Sequence, residues 1–189
     1  MQNWKILNRL VRITSEWVTL IGERLEDDRG QVVDYWRVEK ADSVVIVTLQ
    51  GENLILPVPQ YRPGVQSVTL DFPGGRVRNE GKPLAVVPSI LERELGIGEE
   101  GILKLRLLNE EGWLINSSFS NQKLYGCVAE IDPKMSIEGD RLGAVYPHTP
   151  EGVDQLFQDL TCLQCRAVLQ EWHNRGSRRS KIPYSDGQG

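Results

Sequence analysis

Ser43 to Leu49 reads Ser-Val-Val-Ile-Val-Thr-Leu, a β-branched run suited to a buried strand. Gln50-Gly51-Glu52-Asn53 then turns the chain into a second apolar run, Leu54 to Val58. Earlier, Trp17 to Ile21 and Gln31 to Glu39 flank the turn cluster Asp27-Asp28-Arg29-Gly30, which predicts an antiparallel strand pair within residues 1–40. Ser67 to Phe72, Ile102 to Leu108, Trp113 to Asn116 and Lys123 to Ile131 predict further strands. Trp4 to Val11 is apolar-rich and predicts a short lead-in helix. A central helix is expected around Ser89 to Leu95, ending at Gly96 as a left-handed cap. Thr149 as N-cap and Pro150 at the first position open another helix, whose apolar stripe is Val153, Leu156, Phe157 and Leu160. The helical pattern runs on, with room for a break, through Val168 and Trp172. From Arg175 the residues are basic, then polar with Gly and Pro. This divides the chain into one domain over 1–174 and a disordered tail over 175–189.

Composition narrows the function classes. A chain of 189 residues with 40% hydrophobic residues can build one sizeable core. Its net charge of -4 argues against general binding to nucleic acid or to an anionic membrane. No apolar run approaches the roughly 20 residues that a spanning helix needs, and the first residues carry no signal-peptide pattern. The expectation is a cytoplasmic protein. Three cysteines form no disulfide framework.

The most informative segment is Gly75 to Gly96. It has the frame of G-x5-E-x7-R-E-U-x-E-E-x-G-U, where U is bulky and apolar: Gly75 and Gly96 take the outer glycines, and Leu91 and Ile97 the two U positions. The charged positions have mostly changed, to Gly81, Ser89, Ile90 and Arg93, with Glu94 retained. In frame and context the segment resembles a degenerate Nudix box. Upstream, Gln60-Tyr61-Arg62-Pro63 and Leu70-Asp71-Phe72-Pro73-Gly74-Gly75 resemble the Q-Y-R … E-L-P-A-G run of the ADP-ribose pyrophosphatases, a Nudix subgroup. The resemblance implies an α/β fold: a Nudix-type α/β/α sandwich with the N-terminal antiparallel strand pair and a C-terminal helix. It also implies a homodimer through the N-terminal strands, with Trp17 and Trp36 near the interface or stacked on an adenine.

What it implies about chemistry is mostly loss. The family holds Mg2+ or Mn2+ with clustered carboxylates to hydrolyse a pyrophosphate. Residues 90, 93 and 94 share one helix face, and here that face carries Ile90, Arg93 and Glu94. Glu94 is the one surviving acidic metal-helix position. Glu92 points elsewhere on an ideal helix, and Glu80 stands one place before Gly81 as a partial substitute. Pro88 shortens or kinks the helix. Asn116 to Gln122 occupies the place of the family's S-P-G-x-S-x-E loop, with Gln122 where its glutamate stands. An amide is no base at neutral pH. Arg62 suits a phosphate or a structural ion pair equally. Gly74-Gly75 lines the ligand region by resemblance, and by its residues serves a tight strand-to-helix turn.

Three readings follow: an impaired or inactive homologue binding a nucleotide-like ligand such as ADP-ribose or a protein partner; an active hydrolase of nucleoside-diphosphate derivatives with Glu80, Glu92 and Glu94 as relocated ligands; or a structural dimer. Cys162-Leu163-Gln164-Cys165 spells C-x-x-C and, with His173 nearby, invites a metal or redox reading. With no second pair and an expected mid-helix position, buried packing cysteines are the expectation. The basic residues Arg175, Arg178, Arg179 and Lys181 read as a solubilising terminus.

Overall fold

The computed structural model describes residues 4–77 and 82–179. Its N-terminal part is a three-stranded antiparallel sheet of β1 (Lys5–Thr14), β2 (Thr19–Glu26) and β3 (Val32–Glu39), with β2 in the middle. This corrects the lead-in helix and enlarges the expected strand pair. The physical reason lies in the register. The pairing of β1 with β2 is irregular between Ile6 and Asn8 and again between Arg9 and Val11. Each irregularity shifts the inside–outside alternation by one residue, so the period of two that marks a strand is scrambled in the sequence.

Glu23 ties the three strands together. Its carboxylate is buried and accepts hydrogen bonds from Arg9 of β1 at 2.9 Å and Arg37 of β3 at 3.1 Å. Burial pushes its pKa up, but the hydrogen bonds and charges of the two arginines outweigh this and hold it below the usual value.

The main sheet is built on β4 (Ser43–Gln50), followed by β5 (Asn53–Pro57). A separate two-stranded ribbon, β6 (Gln60–Arg62) and β7 (Ser67–Thr69), leads to β8 (Gly74–Arg76). After α1 (Val87–Leu95) come β9 (Ile102–Leu107), β10 (Trp113–Leu114), β11 (Lys123–Ile131) and β12 (Leu142–Pro147), then α2 (Pro150–Asp159) and α3 (Leu163–Arg179). The strand order is β10-β11-β4-β5-β12, with β8 also pairing β4 and β9 also pairing β11. At the centre β4 and β11 run parallel from Ser43↔Leu124 to Gln50↔Ile131.

Both faces of this centre are covered, which is why its strands read as apolar runs. Val44, Ile46, Cys127 and Ala129 pack toward Val87, Ile90, Leu91 and Leu95 of α1. Val45, Val47, Leu124 and Val128 pack toward Val153 and Leu156 of α2 and Val168, Leu169 and Trp172 of α3. The result is the expected α/β/α sandwich.

The helices are punctuated by local chemistry. Pro83–Val86 forms a 3-10 turn, and α1 starts only at Val87 with Pro88 in its first turn, where a missing N–H costs nothing. This is the short helix expected. It stops at Gly96, whose φ of 68° is left-handed. Thr149 caps α2 by accepting from the Gly152 N–H at 3.2 Å, as expected. The chain then breaks: Leu160 is extended at φ −76° and ψ 118°, and a new helix begins at Leu163. That helix runs to Arg179, past Arg175 where the disordered tail was expected to begin. The residues beyond 179 lie outside those described. Among the described residues no helix is long and apolar enough to cross a membrane.

Candidate functional site

The site is organised around β8. The pair Gly74-Gly75, expected as a strand-to-helix turn, instead forms extended backbone paired antiparallel with Val45 and Val44 of β4. Glycine is required by close approach here. A Cβ on Gly74 would stand 3.0 Å from the Val44 carbonyl oxygen, and one on Gly75 would stand 2.8 Å from Ile90 Cδ1.

The face of α1 that carries Ile90, Arg93 and Glu94 packs against β8 and serves structure. Ile90 is 2% exposed and belongs to the core. Glu94 accepts from the Gly74 N–H at 3.3 Å through Oε2, while its Oε1 pairs with Arg93 at 2.5 Å. Arg93 in turn donates to the Gly74 carbonyl at 3.1 Å. The two side chains therefore clamp the helix onto β8 through both polar groups of one glycine. Glu92 is exposed on the helix, and its backbone carbonyl accepts from Arg141 at 3.0 Å. Glu80 and Gly81 lie outside the described residues.

Beside β8 a cavity of about 660 Å3 is lined by Gly74, Gly75, Arg76, Glu94, Arg62 and Asp71, with Cys162 and Cys165 among its further walls. Arg62 is in an ion pair: its Nε donates to Asp71 Oδ2 at 3.0 Å. Thr69 donates to the same oxygen at 2.7 Å. Ser43, on the same wall, has a buried hydroxyl oxygen with no hydrogen-bond partner among the described residues.

The two tryptophans separate. Trp17 lines a second cavity of about 490 Å3 with Gly75, Arg76, Val86, Ser89, Ile90 and Arg93. The guanidinium of Arg76 lies 3.5 Å from the centre of its ring. Trp36 lines neither cavity. It sits over Gly22, where an added Cβ would meet its ring at 3.1 Å and Val11 at 2.9 Å. Val11, Gly22 and Trp36 are register partners across β1, β2 and β3. So Arg62, Gly74 and Gly75 share one cavity, Trp17 shares Gly75 with the next, and Trp36 belongs to the outer sheet.

Gln122 also lies apart. It is buried at the start of β11, and its amide donates to the Ala41 carbonyl at 2.9 Å. The side chain braces the entry to β4.

Sequence reasoning missed Arg76, Asp71 and the true position of the C-x-x-C pair. Arg76 lies on the boundary of both cavities. Cys162 immediately precedes α3, and Cys165 is in its first turn, so the pair opens a helix. The expected mid-helix position is wrong because the helix break at Leu160 falls just before it. Thr161, a residue favoured at helix starts, was the available signal. The hydrogen bond from Cys165, helped by the N–H groups of Cys165 and Gln164 and opposed by burial and the Asp71 charge, brings the Cys162 pKa down to about 6. Cys165, the donor in that bond and buried, is pushed up.

No protein-family model matches the chain, and no curated protein matches it. Among solved structures, the crystal structure of an ADP compounds hydrolase is similar, with a TM-score of 0.75 and 20% identity over 96% of this chain and 98% of that one. The mixed α/β architecture, with its N-terminal antiparallel sheet and C-terminal helices, is thus the fold of that ADP compounds hydrolase.

Proposed function

We propose that this protein binds a nucleotide-like ligand, of the ADP-ribose class, in the cavities flanking β8, with hydrolysis strongly impaired or absent. The observation that carries this is the Arg93–Glu94 clamp. Hydrolysis on this fold needs Mg2+ or Mn2+ among several hard oxygens. At the helix face that would supply them, Ile90 is in the core, and both Glu94 oxygens are already engaged by Gly74 and Arg93. The residues present do not fit the ion. Gln122, spent on the Ala41 carbonyl, offers no base. Ligand binding is supported by what remains open. Arg62 keeps N–H donors beyond those given to Asp71, and Arg76 stands between the cavities.

Arg76 already covers one face of Trp17, so a base stacks on the other face or displaces the guanidinium. Titration with ADP-ribose in the presence and absence of Mg2+ and Mn2+ tests the reading. The expected outcome is binding without turnover. Turnover above about 1 per second, normal for an enzyme, would sink it in favour of a hydrolase with relocated carboxylates.

A homodimer through the N-terminal sheet is the second part of the reading. The edge strand β1 leaves Ile6, Leu7, Leu10 and Ile13 between 41% and 59% exposed, and Trp36 is exposed beside it. An uncovered apolar edge strand invites pairing. Light scattering at micromolar concentration is expected to return the dimer mass, and a monomer there would count against it.

A further inference from the structure

The wall of the larger cavity also holds a group that pyrophosphate chemistry has no use for. Cys162, Cys165 and Asp71 bring their sulfur and oxygen atoms within 4.8 Å of one another. They come from two distant segments: Asp71 from the link between β7 and β8, the cysteines from the start of α3. We propose that Cys162 and Cys165 form a thiol–disulfide exchange site, oxidised by a small-molecule disulfide of the glutathione class that enters this cavity.

The arrangement divides two roles between the sulfurs. Cys162 is partly exposed and lines the cavity, so an incoming disulfide can reach it. It stands at the N-terminus of a 17-residue helix, where backbone N–H groups favour a thiolate over a thiol. The amides of Gln164 and Cys165 serve it in this way. Cys165 is only 2% exposed, so Cys162 is the sulfur that an incoming disulfide meets first. The Cys165 sulfur lies 3.7 Å from Asp71 Oδ1, so once Cys162 is tied up in a mixed disulfide and no longer accepts the Cys165 proton, the carboxylate is placed to take it. The other Asp71 oxygen is held by Arg62 and Thr69, which fixes the carboxylate with Oδ1 toward the sulfur. At about 660 Å3 the cavity falls within the range of small-molecule sites, roughly 300–1,000 Å3.

The step balances as follows. The Cys162 thiolate attacks one sulfur of the disulfide, forming a mixed disulfide and releasing one thiolate. Cys165 passes its proton to Asp71 and attacks Cys162 Sγ, closing the intramolecular bond and releasing the second thiolate. The released thiolates take up the protons that the two cysteines have lost. Two electrons have moved from the protein dithiol to the small disulfide.

The test treats the reduced full chain with oxidised glutathione, quenches with an alkylating agent and reads intact mass. The expected product is lighter by two hydrogens, with Cys127 the single alkylatable thiol after unfolding. Cys165→Ser is expected to accumulate the glutathione mixed disulfide on Cys162. Cys162→Ser is expected to form mixed disulfide at least about tenfold more slowly, since only a buried thiol remains. Asp71→Asn is expected to accumulate mixed disulfide in the chain with both cysteines. Circular dichroism checks that each variant is folded, and Cys165→Ser alone decides the matter if Asp71→Asn is not. A wild-type chain inert to oxidised glutathione would overturn the proposal in favour of packing cysteines. So would a pair that binds Zn2+ stoichiometrically and resists oxidation. The readout is thiol mass, so it stands or falls independently of nucleotide binding.

Discussion

Two corners of one cavity carry groups that look equally chemical in the sequence, and the fold treats them in opposite ways. At the α1 corner, Glu94 and Arg93 are paired with each other and with the backbone of Gly74. At the α3 corner, Cys162 faces the cavity at a helix N-terminus, with Cys165 and Asp71 behind it. A charged pair bonded to each other and to the backbone of the neighbouring strand serves the fold. A group with access and a neighbour that moves its proton is equipped to react. Residue type does not distinguish the two corners, whereas the partners do.

The sharpest way to break this comparison is to return chemistry to the α1 corner. Ile90→Glu puts a carboxylate into a position that is 2% exposed, between Gly75 and the sheet. Burying a charge without a partner is expected to cost about 3 kcal/mol or more, read as a lower urea midpoint. A variant that stays stable and gains Mn2+-dependent turnover would mean the corner is dormant rather than built into the core.

Next in size is the clamp itself. Glu94→Ala leaves the Gly74 N–H without its acceptor and Arg93 with the Gly74 carbonyl but no carboxylate, at an expected cost of about 1–3 kcal/mol by the same measurement. Any ADP-ribose binding is expected to survive. If Glu94→Gln keeps stability yet abolishes a measurable hydrolase activity, the α1 corner is catalytic and the contrast fails.

At the α3 corner the predicted effect is a rate. With its pKa lowered to about 6, Cys162 is expected to be mostly thiolate at neutral pH. Below pH 6 its alkylation rate should fall about tenfold per unit as the thiolate is protonated, and above pH 7 it should level off. A rate still climbing steeply between pH 7 and 9 would place Cys162 among ordinary thiols.

The smallest effect concerns how Asp71 is aimed. Thr69→Ala removes one hydrogen bond to Oδ2 and is expected to cost about 1 kcal/mol. It should also slow closure of the Cys162–Cys165 bond without changing the first attack. An unchanged ratio of mixed to internal disulfide would show that Arg62 alone orients the carboxylate.

The sequence by itself determined the α/β sandwich and that Ile90, Arg93 and Glu94 share one face of α1. Both are local: the runs 43–49 and 123–131 are apolar enough to be covered on both faces, and a helix places residues 90, 93 and 94 on one side whatever surrounds it. Pro88 and Thr149 likewise set where α1 and α2 begin, through a missing donor and a capping oxygen. The tertiary structure decided what locality cannot carry. Register shifts between β1 and β2 hide the strand from its own alternation. The break at Leu160 moves the cysteine pair from the middle of a helix to its charged end. Asp71 meets Cys165 across 94 positions of chain, and only the packing of α3 against the sheet brings that carboxylate beside that thiol.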